Sequence, residues 1–271
     1  MQGRVLIIAG SDSGGGAGIQ ADIKTVTALG GYAMTAITAL TAQNTQGVFG
    51  VHPVPPDFIA EQIRLVLRDI GADAVKLGML HDAAVIDAVA DVLVAEAPGV
   101  PLVLDPVMVA KGGAALLDPN ASVTLKRRLP IIARIITPNI PEAEALSGLN
   151  IGDLDQMRHA AAMLVTLGVE TVLLKGGHLD GDDVTDILAT ADGLIEMTSP
   201  RIDTAHTHGT GCSLASAIAT GLAQGLDLEA AVRRARAYVH EAILSAPGFG
   251  KGHGPLNHVH TLAPYMLNGA S

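Results

Sequence analysis

Short apolar runs separated by amphipathic segments constrain this chain more than any other feature of its sequence. The first run, Val-Leu-Ile-Ile-Ala at residues 5–9, contains no polar residue and ends at Gly10. A run of this kind is typical of a strand that is buried on both faces of a parallel sheet. Similar runs recur along the chain, at residues 74–77, 102–104, 135–136 and 171–174.

Helical periodicity lies between these runs. Residues 58–70 place five aliphatic side chains on one face, and three valines share a face in residues 85–92. This alternation predicts an α/β fold with a mainly parallel central sheet flanked by helices on both faces. Residues 32–54 and 184–198 break the alternation and predict small β-hairpin additions at the edge. Because no linker or repeat divides the chain, we predict one domain over residues 1–271.

The composition narrows the class of partner. Of the 271 residues, 27 are acidic and 17 are Lys or Arg, which gives a net charge of -10. Such a surface disfavours nucleic acid and anionic membranes, and an aromatic content of 2% leaves few stacking platforms. We therefore predict a small-molecule partner, no nucleic acid and no membrane. The single cysteine, Cys212, excludes an internal disulfide and favours a reducing, cytoplasmic setting.

The first candidate for chemistry is a glycine-rich loop at residues 10–18, between the first strand and a helix expected over residues 19–29. Glycines let the backbone approach a ligand closely, and the helix amino terminus offers free N–H groups. The loop loosely matches a dinucleotide-binding fingerprint. However, no acidic residue lies between Lys24 and Asp57 to hold a ribose. An ordinary flexible turn is the alternative interpretation.

The second candidate is His-Gly-Thr-Gly-Cys-Ser at residues 208–213, before an apolar helix. Gly209 and Gly211 leave the amides around Thr210 and Cys212 open at the positive end of the helix dipole, which predicts an anion hole. The dipole also predicts that the Cys212 thiolate is favoured, giving the sulfur base or nucleophile character. The alternative is a small buried hydrophobic residue, the commoner state of a free cysteine.

The third candidate combines residues 137–142 with two strand ends. Pro141 and Glu142 alone are typical of ordinary helix initiation. Asp105 and Lys175, however, each follow a predicted strand, and the carboxyl ends of parallel strands converge on the ligand crevice of such folds. Carboxylate oxygens suit Mg²⁺ and a lysine suits phosphate.

Taken in order along the chain, these motifs resemble the hydroxymethylpyrimidine/phosphomethylpyrimidine kinases of thiamine biosynthesis, which belong to the ribokinase-like family. The resemblance runs nearly end to end. Its motifs include Thr-Ala-Gln-Asn-Thr, Lys-Leu-Gly-Met-Leu, Asp-Pro-Val-Met and Thr-His-Gly-Thr-Gly-Cys, and all of them together occupy residues 9–22, 41–45, 76–80, 105–108, 137–143, 174–178, 207–212 and 250–256.

The resemblance implies ATP- and Mg²⁺-dependent phosphorylation of 4-amino-5-hydroxymethyl-2-methylpyrimidine and then of its monophosphate. It implies that Gln43 reads the edge of the aminopyrimidine. It also implies a ring pocket formed by Gly10, Ala17, Met79 and Val107. Because relatives of this kind are often dimers, a homodimer is expected.

For the phosphate end, the resemblance implies that Lys175, Asn139 and Glu142 bind the nucleotide and that Asp105 and Glu142 hold the metal. Cys212 occupies the place of the aspartate base of related sugar kinases and would accept or orient the substrate hydroxyl proton. The amides of Gly209, Thr210, Gly211 and Cys212 would hold the transferring group.

Three alternatives stay open at this point. A pyridoxal or pyridoxine kinase would share the fold and phosphorylate a similar flat heteroaromatic alcohol. A cysteine-dependent acyl transferase or hydrolase would use Cys212 as nucleophile and His208 as base, but it leaves Lys175 and Glu142 without a role. A non-catalytic sensor would bind the pyrimidine without turnover.

Overall fold

The computed structural model describes residues 2–108 and 119–262 of the chain. The strands within these ranges are β1 Arg4–Asp12, β2 Tyr32–Asn44, β3 Gly47–Pro53, β4 Ala74–Leu77, β5 Leu102–Leu104, β6 Ile135–Ile136, β7 Val172–Leu174, β8 Asp183–Thr190 and β9 Gly193–Pro200. The α-helices are α1 Gly18–Ala28, α2 Pro56–Asp69, α3 Ala83–Glu96, α4 Pro119–Arg128, α5 Ile140–Ser147, α6 Leu154–Thr166, α7 Thr210–Ala223 and α8 Leu228–Leu244.

All of these strands form one sheet in the order β3-β2-β1-β4-β5-β6-β7-β8-β9. The neighbours from β2 to β7 pair in parallel, whereas β3 pairs antiparallel at one edge and β8 and β9 pair antiparallel at the other. The predicted α/β class, with a mainly parallel sheet and β additions at the edge, is confirmed.

Helices cover both faces of this sheet, as predicted. Side chains of β1 alternate between two apolar clusters, because successive residues of a strand point to opposite faces. Leu6 and Ile8 pack with buried residues of α2 to α6, whereas Val5, Ile7 and Ala9 pack with α1, α7 and α8. Each face of the parallel sheet is therefore a separate hydrophobic core.

The segment predicted as one hairpin over residues 32–54 has a more elaborate structure. The first half of β2 lies parallel to β1, and only the second half, from Ala39 onward, pairs with β3. Met34 and Ala36 in the first half are buried in the cluster that includes α2, so packing draws this half into the central sheet. The hairpin predicted over residues 184–198 is confirmed as β8 and β9.

The helix amino termini fall into two groups. Asp82, Asp153 and Asp227 cap α3, α6 and α8 by accepting a backbone N–H from the first turn. Helices α1 and α7, in contrast, begin at Ala17 and Gly209 without a side-chain cap. In the first turn of α7, the N–H groups of Gly211 and Cys212 are thus available to a ligand, whereas at the start of α1 the Ala17 N–H donates to Asp12. Within the described ranges, none of the helices combines the length and hydrophobicity needed to cross a bilayer.

Candidate active site

A cavity of about 1320 Å³ opens at the carboxyl ends of the parallel strands. The structure brings together in its lining every residue that the sequence analysis assigned to the site, namely Gly10, Ala17, Gln43, Met79, Asp105, Val107, Asn139, Glu142, Lys175, Gly209, Thr210, Gly211 and Cys212. These residues therefore surround one crevice. Their individual roles are taken up below as proposals.

The first glycine-rich loop is held by the carboxylate of Asp12, at the end of β1. Asp12 accepts backbone N–H groups from Gly14 at 2.8 Å, Gly16 at 3.1 Å and Ala17 at 2.8 Å. Burial by itself would raise the pKa of Asp12, but the hydrogen bonds from His208 and the loop amides outweigh burial and lower it. An ionised Asp12 therefore fixes the loop as a rigid wall of the cavity rather than a flexible turn.

His208 connects this loop to Gln43. Its Nε2 atom lies 2.9 Å from Asp12 Oδ2 and 3.3 Å from Gln43 Nε2. The other end of the Gln43 amide, Oε1, accepts the hydroxyl of Thr41 at 3.1 Å. The Nε2 atom of His208 is thus engaged by Asp12 and Gln43, which gives no support to His208 as the base of a cysteine hydrolase.

The second loop lies directly against the first. Gly209 has φ +85°, and a Cβ there would approach the carbonyl oxygen of Gly16 to 1.9 Å. Only glycine fits this contact, because the left-handed conformation and the neighbouring backbone both exclude a side chain. A Cβ on Gly211 would lie 3.3 Å from Lys175 Nζ and 3.4 Å from Asp105 Oδ2. The amino terminus of α7 therefore faces the charged end of the cavity.

Cys212, in the first turn of α7, is half-buried. Burial raises the pKa of its thiol to about 12, and the carboxylates of Asp22 and Asp105 add to this effect. The positive charge of Lys76 and the N–H of Gly18 oppose it without overcoming it. The expectation that the helix dipole favours a thiolate is wrong here, because desolvation and two nearby carboxylates outweigh the dipole. The sulfur carries its proton at neutral pH.

Lys175, Asp105 and Glu142 form a charged group at the ends of β5, β6 and β7. Lys175 Nζ lies 3.2 Å from Asp105 Oδ1. Burial by itself would lower the pKa of Lys175, but the carboxylates of Asp105 and Glu142 outweigh it and raise the pKa. Burial raises the pKa of Glu142 to about 7, with a further contribution from Asp105 and opposition from Lys175. This end of the cavity has more negative than positive groups.

Glu142 also takes part in a capping box with Asn139 at the start of α5. The Asn139 N–H donates to Glu142 Oε2 at 2.8 Å, and the Glu142 N–H donates to Asn139 Oδ1 at 3.0 Å. Ordinary helix initiation, the alternative interpretation of this motif, is therefore also correct. The capping box fixes both side chains at the cavity wall.

The sequence analysis assigned no role to the buried ion pair between Lys76 and Asp22. Lys76 Nζ lies 2.9 and 2.8 Å from the two Asp22 oxygens, and neither side chain has any solvent exposure. The Ser216 hydroxyl of α7 donates to the same carboxylate at 2.7 Å. A polar residue within the otherwise apolar run of β4 was the available signal, but its partner is 54 positions away.

The carboxylates of Asp105 and Glu142 fit a magnesium ion. In residues 2–108 and 119–262, no group of three or more His, Cys, Asp or Glu side chains is arranged to hold a metal. Mg²⁺, however, is commonly held by one or two carboxylates together with substrate phosphates and water. Because Asp105 contributes to the raised pKa of Glu142, the two carboxylates share one neighbourhood in which a cation would be stabilised.

Comparisons with known proteins agree with this geometry. The family model for phosphomethylpyrimidine kinase matches residues 12–257. A hydroxymethylpyrimidine/phosphomethylpyrimidine kinase of Bacillus subtilis is 48% identical over 94% of this chain and 94% of its own length. A thiamine biosynthesis bifunctional protein of Geobacter sulfurreducens is 55% identical over 95% of this chain, which spans 52% of that larger protein.

A solved structure leads to the same group of enzymes. The ADP complex of a Bacillus subtilis pyridoxal kinase superimposes with a TM-score of 0.89, at 35% identity, over 96% of this chain and 98% of the other. The match of the family model over most of the chain and the identity to full-length relatives establish the family. The chain belongs to the phosphomethylpyrimidine kinase family and is a phosphotransferase.

Proposed function

We propose that this cavity binds ATP, Mg²⁺ and an aminopyrimidine alcohol. The γ-phosphoryl group passes to the hydroxyl of 4-amino-5-hydroxymethyl-2-methylpyrimidine and, in a second reaction, to the monophosphate so formed. The observation that carries the proposal is the position of Gly211, where an added Cβ would lie 3.3 to 3.4 Å from the Lys175–Asp105 pair, in a cavity that Gln43 also lines. A site for anionic groups and a polar side chain able to read a heteroaromatic ring thus share one space.

At the pyrimidine end, Gln43 is oriented before a substrate arrives. The Thr41 hydroxyl donates to Oε1 of its amide, so the side chain has less freedom to lose when it meets the ring edge. The ring itself would lie among the backbone of Gly10 and the apolar side chains of Ala17, Met79 and Val107, which all line the cavity.

At the phosphate end, Lys175 and the uncapped amino terminus of α7 stabilise negative charge. A buried, fixed ammonium and aligned N–H groups are most effective where water is excluded and charge develops in the transition state. Asp105 and Glu142 would hold Mg²⁺, which when bound neutralises phosphate charge. Asn139 supports this arrangement by fixing Glu142 through the capping box.

Cys212 acts on the substrate hydroxyl as a neutral thiol. Because its pKa is raised to about 12, it does not remove the hydroxyl proton in advance. Phosphoryl transfer depends chiefly on positioning and charge stabilisation, so a strong base is not required. The sulfur orients the hydroxyl by hydrogen bonding beside the α7 amides. The hydroxyl oxygen forms the new bond to the γ-phosphorus, the bond to the departing ADP oxygen breaks, and the hydroxyl proton passes to an oxygen of the transferred phosphoryl group.

We also propose that the protein is a single-domain homodimer of the cytoplasm. The continuous sheet supports one domain, and the single cysteine suits a reducing compartment. Edge strand β3 supports self-association, since Phe49 is 73% exposed there and Val51 is also exposed. Sedimentation analysis should give twice the monomer mass, whereas a monomer at micromolar concentration would contradict the dimer.

The function is tested by an ATP-consumption assay with Mg²⁺ that compares hydroxymethylpyrimidine, its monophosphate and pyridoxal at equal concentration. We expect both pyrimidines to be converted to the diphosphate, with products identified by mass. Turnover of pyridoxal alone would establish the alternative vitamin B6 kinase, which the pyridoxal kinase superposition makes the second candidate. Pyrimidine binding without ATP consumption would establish the sensor.

Replacing the thiol tests the role of Cys212. We expect Cys212→Ala to reduce phosphorylation severely while pyrimidine affinity is kept, because the ring is held by other residues. Cys212→Ser is the matched control and should retain more activity, since its hydroxyl can also accept a hydrogen bond. Turnover of the alanine variant close to that of the parent chain would remove the sulfur from the mechanism.

Replacing the amide tests the role of Gln43. We expect Gln43→Leu to weaken pyrimidine binding by about 1 to 3 kcal/mol, because a polar ring edge then faces an unpaired pocket. Gln46→Leu is the control, since Gln46 is exposed and lies outside the cavity lining. Calorimetric titration measures both affinities, and an unchanged affinity for Gln43→Leu would show that another group reads the ring.

A further inference from the structure

Beneath Cys212, helices α1 and α7 meet at two successive levels. At the upper level, Gly18 begins α1 and Cys212 lies in the first turn of α7, and both residues line the cavity. At the lower level, the Ser216 hydroxyl donates to Asp22 at 2.7 Å. The two levels are four residues apart on each helix, and residues that are four apart lie on the same face of a helix. The Asp22 carboxylate therefore lies one helical turn from the Cys212 thiol.

Lys76 places the opposite charge in the same region. Its Nζ atom contacts both Asp22 oxygens, and its side chain, although it lines the cavity, has no solvent exposure. Burial by itself would lower the pKa of Lys76, but Asp22, with contributions from Cys212 and Asp105, raises it. The Lys76 ammonium and the Asp22 carboxylate, whose own pKa is raised by burial, are thus fixed near the sulfur, where screening by solvent is weak.

We propose that Lys76 and Asp22 are positioning residues of the phosphoryl-transfer site that control the protonation of Cys212 with opposite effects. Lys76 favours the thiolate and Asp22 opposes it. Two other charged groups face the sulfur from the cavity wall: Asp105 opposes the thiolate, and Lys175 interacts with it favourably. The ion pair is buried beneath these groups, so substrate binding leaves its two charges in place.

This inference deepens the proposed function, because the protonation of Cys212 matters to catalysis only if Cys212 acts in that reaction. The sequence offers a test that needs no turnover. Cys212 is the single cysteine of the chain, so alkylation by iodoacetamide reports on this sulfur alone. In that reaction the thiolate sulfur forms a bond to the CH₂ carbon and iodide leaves, so the rate follows the thiolate fraction.

The experiment measures the alkylation rate of the full-length chain against pH, with the product followed by intact mass. We expect Asp22→Asn to react at least about threefold faster than the parent chain at the same pH, and Lys76→Met at least about threefold slower. The control is Asp73→Asn, the same chemical change in the Arg4–Asp73 pair at the opposite end of the sheet. Its alkylation profile should match that of the parent chain.

The opposite signs separate an electrostatic role from a structural one. Loosening of the site would expose the sulfur and move both variants in the same direction, so a common direction, or no change in either, would overturn the proposal. The double variant Lys76→Met/Asp22→Asn covers the case in which Lys76→Met does not fold. It should react more slowly than Asp22→Asn alone, and equal rates would also overturn the proposal.

Kinase assays on the same variants separate this inference from the proposed function. If both hold, the pH profile of kcat moves in the same direction as the alkylation profile of each variant. If the two alkylation rates shift in opposite directions while the pH profile of kcat does not move, the ion pair controls the protonation of Cys212, but Cys212 does not act in the rate-limiting step. If the alkylation rates shift in opposite directions but the chain phosphorylates no pyrimidine, the proposed function is contradicted and the effect of the ion pair on Cys212 is still supported.

Discussion

Two lysine–carboxylate pairs lie on the same side of this molecule, and they differ in how completely their hydrogen-bonding capacity is used. In the pair beneath the cavity, Lys76 contacts both oxygens of Asp22, and Ser216 donates to one of them. In the pair at the cavity wall, Lys175 contacts one Asp105 oxygen at 3.2 Å and the Thr137 hydroxyl donates to the same oxygen at 3.3 Å, which leaves the second oxygen, Oδ2, unused by either group. The first pair is closed, whereas the second keeps donor and acceptor capacity that a ligand can use.

Solvent access follows the same division. The side chains of Lys76 and Asp22 are both 0% exposed, whereas those of Lys175 and Asp105 are 16% and 3% exposed. A buried ion pair contributes little net stability, but removal of one partner leaves an uncompensated charge in the interior. The two pairs, both of a lysine with an aspartate, therefore have different roles. The closed pair maintains the structure around the site, and the open pair remains available for binding.

The largest expected effect comes from the closed pair. We expect Lys76→Met to lower the free energy of unfolding by about 3 to 5 kcal/mol, since it leaves the Asp22 carboxylate buried without a cation. Arg4→Met is the control, because the Arg4–Asp73 pair is 44% and 35% exposed and its loss should cost far less than the loss of a buried pair. Urea denaturation measures both free energies of unfolding, and equal losses would contradict the distinction between a buried and an exposed ion pair.

The open pair should show the reverse behaviour. We expect Lys175→Met to reduce kcat by about 10² to 10³-fold, the effect of removing one fixed group that stabilises developing charge. Its unfolding free energy should fall less than that of Lys76→Met, because the Lys175 side chain is partly exposed at the cavity wall whereas that of Lys76 is fully buried. Steady-state kinetics and urea denaturation on the same samples check both. A stability loss as large as that of Lys76→Met would mean that the two pairs are alike.

The smallest expected effect is a pH dependence of stability that arises from Glu142, beside the open pair. The folded-state pKa of Glu142 is about 7, above its ordinary value of 4.5, so the folded protein binds this proton more tightly than the unfolded chain. The resulting stability is fully present below about pH 4.5 and is lost as pH rises through 7, by about 1 kcal/mol per pH unit. Glu142→Gln should remove this slope from urea denaturation across the window, and a slope that persists would assign it to another group.

The parts of the site that were predictable from sequence lie next to strand ends. Asp105 and Lys175 each follow an apolar run, and parallel strands must bring such positions to one edge of the sheet. The glycines at 209 and 211 were equally informative, because few positions other than close backbone contacts require glycine. Periodicity likewise located the central strands β1 and β4 to β7 and helices α2 and α3. It did not anticipate that packing against α2 draws the first half of β2 into the parallel sheet.

The features that sequence reasoning missed depend on contacts between distant residues. Asp12 and His208 are 196 positions apart, and nothing local to either one predicts their hydrogen bond. The prediction of a Cys212 thiolate was wrong for the same reason. A helix dipole can be read from local sequence, whereas the desolvation and the nearby carboxylates that outweigh it are properties of the folded chain.

The contact between the two glycine loops also has a consequence for the order in which the molecule assembles. From β5 to β9, each strand pairs with the strand that precedes it in the chain, so this part of the sheet can grow outward as the polypeptide is synthesised. Asp12 and Gly16, in contrast, meet His208 and Gly209 only after most of the chain exists. The topology therefore allows much of the sheet to form before the cavity does. A prematurely terminated chain would have much of the sheet but would lack the cavity.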